Sequence, residues 1–323
     1  MKVIKAPRLK VGSTVGIISP SGTPFDTDFT SEKFEKGIEC LKRDFGLNVR
    51  LSKNCNEKFF YSAGTRAQRL DDFHSMWMAQ DIDMILMSVG GNTATELLDG
   101  IDFDLMRKKP KIFCGISDGT VLLNAIFSKT GLITYHGPDL CFAFGQPMSA
   151  SIRKNIQETL FQENVQHLQP NLSWKAYEHP EVTYSGWKTI RHGKASGHLV
   201  GGHLGLFLNN LSLGYVPDLR DSILFLEGTS KISDIHRDLY SLKLHGVFAK
   251  ISGLILGWFE WKTPNTLGHD RPVSDIVLEI TQGYDFPIIE IGELGHCVEN
   301  YAFPIGGKSV IDADEKKINL LQE

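Results

Sequence analysis

Short apolar runs of strand length, separated by longer amphipathic segments, set the rhythm of the first half of the chain. Val15-Gly16-Ile17-Ile18 runs into the turn-forming Ser19-Pro20-Ser21-Gly22. Met84-Ile85-Leu86-Met87-Ser88-Val89 runs into Gly90-Gly91-Asn92-Thr93, and Lys111 to Cys114 runs into Gly115-Ile116-Ser117-Asp118-Gly119. A continuous apolar run of this length suits a strand covered on both faces. Between these runs, Thr30 to Leu41 spaces Phe34, Ile38 and Leu41 at helical intervals. Arg66 to Met78 places Leu70, Phe73, His74 and Trp77 on one helical face. Ala94 to Leu98 and Val121 to Lys129 also read as helical, and Asn48–Leu51 and Leu132–Tyr135 as strands. Strands alternating with helices predict an α/β architecture with a mostly parallel sheet. Such a sheet presents ligand groups in loops beyond the carboxyl ends of its strands, here Ser19–Gly22, Gly90–Thr93 and Gly115–Gly119.

The rhythm weakens between residues 149 and 188, where one helix-like stretch, Ile152–Phe161, is followed by polar sequence carrying Pro170, His179 and Pro180. It then resumes. Gly197-His198-Leu199-Val200-Gly201-Gly202 precedes a helix at Leu204–Leu213 and a strand at Ile223–Glu227. Ile232, Ile235, Leu239 and Leu242 define another helix, Leu254–Phe259 a strand, Val273–Ile280 a helix and Pro287–Ile291 a strand. Ser309–Ile311 and Ile318–Leu321 read as closing strands. The pattern predicts an N-terminal domain over 1–148, a connecting segment and substrate loop over 149–188, and a C-terminal domain over 189–323.

Composition narrows the function classes. With 323 residues the chain has the length of about two domains, and 41% hydrophobic against 22% charged residues is ordinary for a globular protein. A net charge of −4 and a pI near 6.3 argue against binding a nucleic-acid polymer. Five cysteines, Cys40, Cys55, Cys114, Cys141 and Cys297, are odd in number and widely spaced, which fits a reducing compartment. Neither a signal-like N-terminus nor an apolar run of about 20 residues is present, so the expected location is the cytoplasm, away from membranes. The eleven histidines form no HExxH pattern, and no metal or other cofactor is expected.

The chemistry-bearing candidates lie at strand ends. Ser117, flanked by Gly115 and Gly119, sits on a strand-to-helix turn, where small neighbours let the chain bend sharply and lift a nucleophilic Oγ clear of the sheet. An N-capping serine reads the same way in isolation. A nucleophilic serine needs a base, and the base needs a group to hold its tautomer. Glu227 ends an apolar strand, where a carboxylate is expensive to desolvate without a partner, and His296 lies between the small residues Gly295 and Cys297. Taken singly, either residue also suits a structural role. The order Ser, Glu, His, each beside glycine, favours them jointly. Oxyanion stabilisation calls for convergent N–H donors, for which Gly91 and Asp118 are the candidates; a phosphate cradle is the other use of Gly90-Gly91.

Several pieces together resemble the LD-carboxypeptidase and microcin C immunity family of serine peptidases. They are Ile17-Ile18-Ser19-Pro20-Ser21, Ala63-Gly64-Thr65, Ser88-Val89-Gly90-Gly91-Asn92, Gly115-Ile116-Ser117-Asp118, His136-Gly137-Pro138, Gly197 to Gly202, Leu224-Phe225-Leu226-Glu227, Leu254-Ile255-Leu256-Gly257 and Gly295-His296. The resemblance implies a Ser-His-Glu triad, mapping onto Ser117, His296 and Glu227. It further implies a flavodoxin-like N-terminal domain carrying the serine, a smaller C-terminal α/β domain carrying the other two, an active site in the cleft between domains, and a homodimer. His203 departs from the pattern: the family commonly has asparagine there.

Two substrate classes compete within the family. Murein LD-carboxypeptidases release a terminal D-amino acid from a tetrapeptide stem, as in peptidoglycan recycling. Immunity-type members cleave the amide joining an aminoacyl or peptidyl group to a nucleotide-like moiety. Gly186-Trp187-Lys188 resembles the immunity branch, in which an aromatic near this position stacks on the base, and the likeness extends to Asn92, Lys231 and Glu260 as substrate contacts. The expected partner is thus a small molecule or short peptide. An α/β-hydrolase esterase also fits the order Ser, Glu, His, and a non-catalytic phosphate-binding protein would also use Gly90-Gly91 and Ser117.

Overall fold

The computed structural model describes residues 2–177, 182–259 and 271–321. The chain divides into two compact units, Met1–Glu163 with Ala302–Gly306, and Asn164–Tyr301 with Gly307–Glu323.

In the first unit, β1 (Thr14–Ile18), β2 (Asn48–Leu51), β3 (Met84–Met87), β4 (Ile112–Gly115) and β5 (Thr134–His136) form a parallel run in the order β5-β4-β3-β1-β2. The helices are α1 (Asp28–Phe45), α2 (Arg66–Met78), α3 (Phe103–Lys108), α4 (Gly119–Thr130) and α5 (Ala150–Phe161). Strands β3 and β4 are buried at every residue, as their uninterrupted apolar runs require, and so is α4 from Gly119 to Phe127. Each fully buried Leu, Ile or Val there contributes about 1.5–3 kcal/mol relative to exposure. Thr65 and Gln68 fix the start of α2 in a reciprocal capping box. The buried face of α2 is rotated from the expected one: it holds Arg69, Asp72, Phe73, Met76 and Trp77, whereas Leu70 and His74 are only half-buried. Two ionisable side chains therefore replace apolar ones at the turns nearest the sheet's loops. Because β1 pairs with both β2 and β3, the strand order reverses at β1, and the loops after β1 and β3 flank a crevice suited to ligands.

The second unit contains β6 (Gln166–Leu168), β7 (Lys188–Arg191), β8 (Lys194–His203), α6 (Leu204–Leu213), β9 (Ile223–Gly228), α7 (Ile232–Leu244), β10 (Gly253–Phe259), α8 (Val273–Ile280) and β11 (Ile288–Glu290). Next in the chain comes β12 (Phe303–Ile305), which pairs antiparallel with β5 and so completes the first sheet. The second sheet closes with β13 (Lys308–Asp312) and β14 (Lys317–Leu320), in the order β6-β14-β13-β8-β9-β10-β11-β7. Its centre, β8 to β11, is parallel and its flanks are antiparallel. Leu224, Leu226, Leu239, Leu242, Leu254, Ile276 and Val277 pack between this centre and its helices.

The stretch from 149 to 188 is more than a connection. It supplies α5 to the first unit and β6 to the second sheet, and ends at the start of β7. Three-residue strands such as β6 and β12 offer too few positions for an alternation to register.

Candidate active site

Ser117 occupies the turn between β4 and α4 with a φ of +59°, a left-handed conformation that costs a residue with a Cβ roughly 1–2 kcal/mol. Surrounding contacts fix it there. Gly119 N–H donates to Ile116 O and Thr120 N–H to Ser117 O, closing the first turn of α4. Gly115 and Gly119 are glycines because Met87 Sδ lies 2.4 and 2.7 Å from where their Cβ atoms would stand. Gly90 lies directly under Ser117: a Cβ there would sit 2.6 Å from Ser117 Cβ and 2.8 Å from its Oγ. Gly91 has a φ of +146°, which side chains rarely adopt, and a Cβ would fall 2.3 Å from both Ser21 Oγ and Gly22 N.

The Asp118 carboxylate fastens these loops together. Buried to 1% exposure, it accepts from Ser21 Oγ at 2.5 Å and from Ala94 N at 2.7 Å. Ser21 Oγ in turn accepts from Thr93 N at 3.0 Å, and Gly22 N–H donates to Gly90 O at 2.9 Å. Arg69 donates to Pro20 O, Thr93 O and Thr93 Oγ1, and pairs with Glu96. Burial depresses the Arg69 pKa, and the charge of Asp118 opposes that shift. All three loops expected to hold a ligand are thus joined through one carboxylate and one guanidinium. The N–H groups of Gly91 and Asp118 take no part in these bonds.

Within the second unit the structure brings together Glu227 and His296. Glu227 is the penultimate residue of β9, fully buried, and its Oε2 lies 2.7 Å from His296 Nδ1. An ionised carboxylate only accepts, so with Glu227 in that form the contact calls for the proton on Nδ1 and makes Nε2 the basic nitrogen. The His296 turn is built for rigidity. Gly295 and Cys297 have φ of +150° and +57°, and Asn300 clasps the turn by accepting from Gly295 N at 2.6 Å and donating to Gly295 O at 2.8 Å. Trp258 N–H donates to Leu294 O at 2.6 Å, tying the turn to β10.

Glu293, three residues before His296, carries a hydrogen-bond cluster that sequence reasoning missed. Fully buried, it accepts from Asn171 N–H, from Tyr184 OH at 3.0 Å and from Trp187 Nε1 at 2.7 Å. Burial pushes its pKa up against the pull of those donors, and burial followed by the Glu293 charge raises that of Tyr184. Trp187 was expected to offer its face to a base. Its ring is instead 2% exposed, covered by protein and anchored through its N–H. Partly exposed aromatics are nearby: Tyr184 and Trp258, with the buried Trp174 and Phe259, line a cavity of about 400 Å³ that Lys188, Glu290 and Arg271 also border. Lys231 is exposed at the N-cap of α7, four residues after Glu227, and Asn92 is exposed beside Gly91. Glu260 lies outside the described residues. Among the described residues, no group of three or more His, Cys, Asp or Glu is arranged to hold a metal ion.

The sequence does carry one signal for the missed clamp: Arg69 and Asp72 fall on the face of α2 that holds Phe73 and Met76, where unpaired charges would be costly. Ser21 sits within a motif already singled out, but its partner is 97 residues away.

Likeness to known proteins extends over both units. Residues 15–137 match the LD-carboxypeptidase N-terminal domain and residues 196–311 the LD-carboxypeptidase C-terminal domain. The chain is 32% identical to the probable murein peptide carboxypeptidase of Bacillus subtilis, over 97% of this chain and 92% of that protein. It is 30% identical to the microcin C7 self-immunity protein MccF of Escherichia coli, over 99% of this chain and 96% of that one. A solved structure of MccF in complex with aspartyl sulfamoyl adenosine superposes with a TM-score of 0.90 at 29% identity, covering 98% of both chains.

Proposed function

Since the chain belongs to the LD-carboxypeptidase family of serine peptidases, we propose that Ser117 is its nucleophile, His296 its general base and Glu227 the residue that orients His296. The observation that carries this reading is the 2.7 Å contact between His296 Nδ1 and the buried Glu227 carboxylate. A buried carboxylate on Nδ1 fixes the tautomer that a serine hydrolase needs. The strained backbone of Ser117 is the second support.

In the proposed reaction His296 Nε2 removes the Ser117 proton as Oγ attacks the amide carbonyl. The N–H groups of Gly91 and Asp118 receive the developing oxyanion, a contribution of about 3 kcal/mol per donor in comparable sites. His296 then passes its proton to the departing amine, and water releases the acyl group by the same steps in reverse. Replacing Ser117 by alanine should abolish turnover while leaving the fold intact; turnover at the wild-type rate would remove the proposal.

For the substrate we favour an aminoacyl or peptidyl group joined by an amide to a nucleotide-like moiety. The aromatic-lined cavity supports it, because its member Trp258 also backs the His296 turn, and stacking on an exposed aromatic contributes about 1–3 kcal/mol per base. Exposed Lys231 and Asn92 are the proposed polar contacts. The second reading, a murein tetrapeptide shortened by one D-amino acid, draws on the relative from Bacillus subtilis. Incubation with aspartyl sulfamoyl adenosine and with a murein tetrapeptide, side by side, separates the two. A cytoplasmic homodimer belongs to the same proposal. No helix among the described residues is long and apolar enough to cross a membrane, and sedimentation equilibrium tests the dimer.

A further inference from the structure

His203 stands at the end of β8, directly opposite Glu227 in the β8–β9 register. Its ring meets that of His296 edge to face, with centroids 5.5 Å apart and planes at 80°. This is the favourable arrangement for two aromatic rings. The His203 ring is itself held over the end of β9: Nε2 lies 3.5 Å from Thr229 Oγ1, and a Cβ on Gly228 would come within 3.9 Å of the same nitrogen.

The bond from His296 Nδ1 to Glu227 fixes one ring nitrogen, and a tilt about the Nδ1···Oε2 line keeps that bond intact. Tilting moves Nε2, the atom that must take the serine proton. A ring set across that motion restricts it, and β8 supplies one from a residue whose backbone is already locked in the sheet beside Glu227. We propose that His203 is a positioning residue for His296, acting through its ring face and edge rather than through its charge or by contact with substrate. The inference rests on the reading of His296 as general base. An amide side chain at this position would be shorter and would lack the ring.

The test compares His203→Ala, His203→Asn and His203→Phe, with kcat and KM measured on whichever of aspartyl sulfamoyl adenosine and murein tetrapeptide the enzyme turns over. Loss of the ring should lower kcat about tenfold or more in the alanine and asparagine variants, because a misplaced catalytic group costs rate, while KM changes less than about twofold. Phenylalanine should restore most of that rate. Asparagine outperforming phenylalanine, or a rise in KM with kcat preserved, would show a polar contact to substrate and overturn the proposal. Equal loss in all three variants would also overturn it. Ser117→Ala and Glu227→Gln run alongside: if these keep full turnover, the triad itself is wrong, whereas if they are inactive and phenylalanine fails to rescue, only the role of His203 falls.

Discussion

Gly90→Ala perturbs the geometry of the proposed nucleophile without removing any reacting atom. The added Cβ would lie 2.6 Å from Ser117 Cβ. Ordinary carbon contact begins at about 3.5 Å, so one of the two groups must retreat by about 0.9 Å. The φ of Gly90 is not in the left-handed region, so alanine meets no backbone penalty of its own, and the cost falls on its contacts with the Ser117 side chain. Two outcomes follow. Crowding of this size destabilises by about 1–3 kcal/mol, and a displacement near 1 Å at a reacting group lowers the rate about 100-fold. Steady-state hydrolysis should therefore show kcat reduced by roughly two orders of magnitude with KM little altered, and urea denaturation a folded protein with a lower midpoint. A variant with wild-type kcat would mean that Ser117 tolerates displacement, contradicting the claim that Gly90 sets its position.

Three other perturbations probe separate parts of the site. Asp118→Ala removes the oxygen that accepts from both Ser21 Oγ and Ala94 N, and should cost about 2 kcal/mol in urea unfolding together with most of the activity; unchanged stability would deny the carboxylate its clamping role. Both Ser117→Gly and Ser117→Ala remove the proposed nucleophile, but glycine relieves the left-handed strain, so the glycine variant should be more stable by about 1 kcal/mol; equal midpoints would count against that strain. Glu293 has a folded pKa raised above its unfolded value of 4.5, so its contribution to stability is complete below that pH and is lost as pH rises through the raised value. Stability measured across that window should fall more steeply in the wild type than in Glu293→Gln, and parallel curves would refute the assignment.

Where burial is two-sided, the sequence was readable. β3 and β4 are apolar throughout, and α4 largely so from Val121 to Phe127, because both faces are covered, and their loops could be found from the runs alone. Glu227 was legible for a related reason, a carboxylate ending an apolar strand. What could not be read depends on pairing between distant segments. β12 pairs with β5, and Asn171 reaches Glu293, through partners more than 100 residues away that no local pattern encodes. Asp118 shows the limit most clearly. Its position after the serine suggested a backbone donor, yet its carboxylate holds two other loops in place.

Cys297 gives the site a chemical handle. Four of the five thiols, Cys40, Cys55, Cys114 and Cys141, are buried, and burial pushes those of Cys40 and Cys55 up to about 11. Cys297 alone is partly exposed, on the clasped turn beside His296. A maleimide dye should therefore mark that one turn in the folded chain without any engineered cysteine. Its rate of attachment would serve as a clock for how often the turn opens, and slowing by an added ligand would report occupancy without any bond being cleaved.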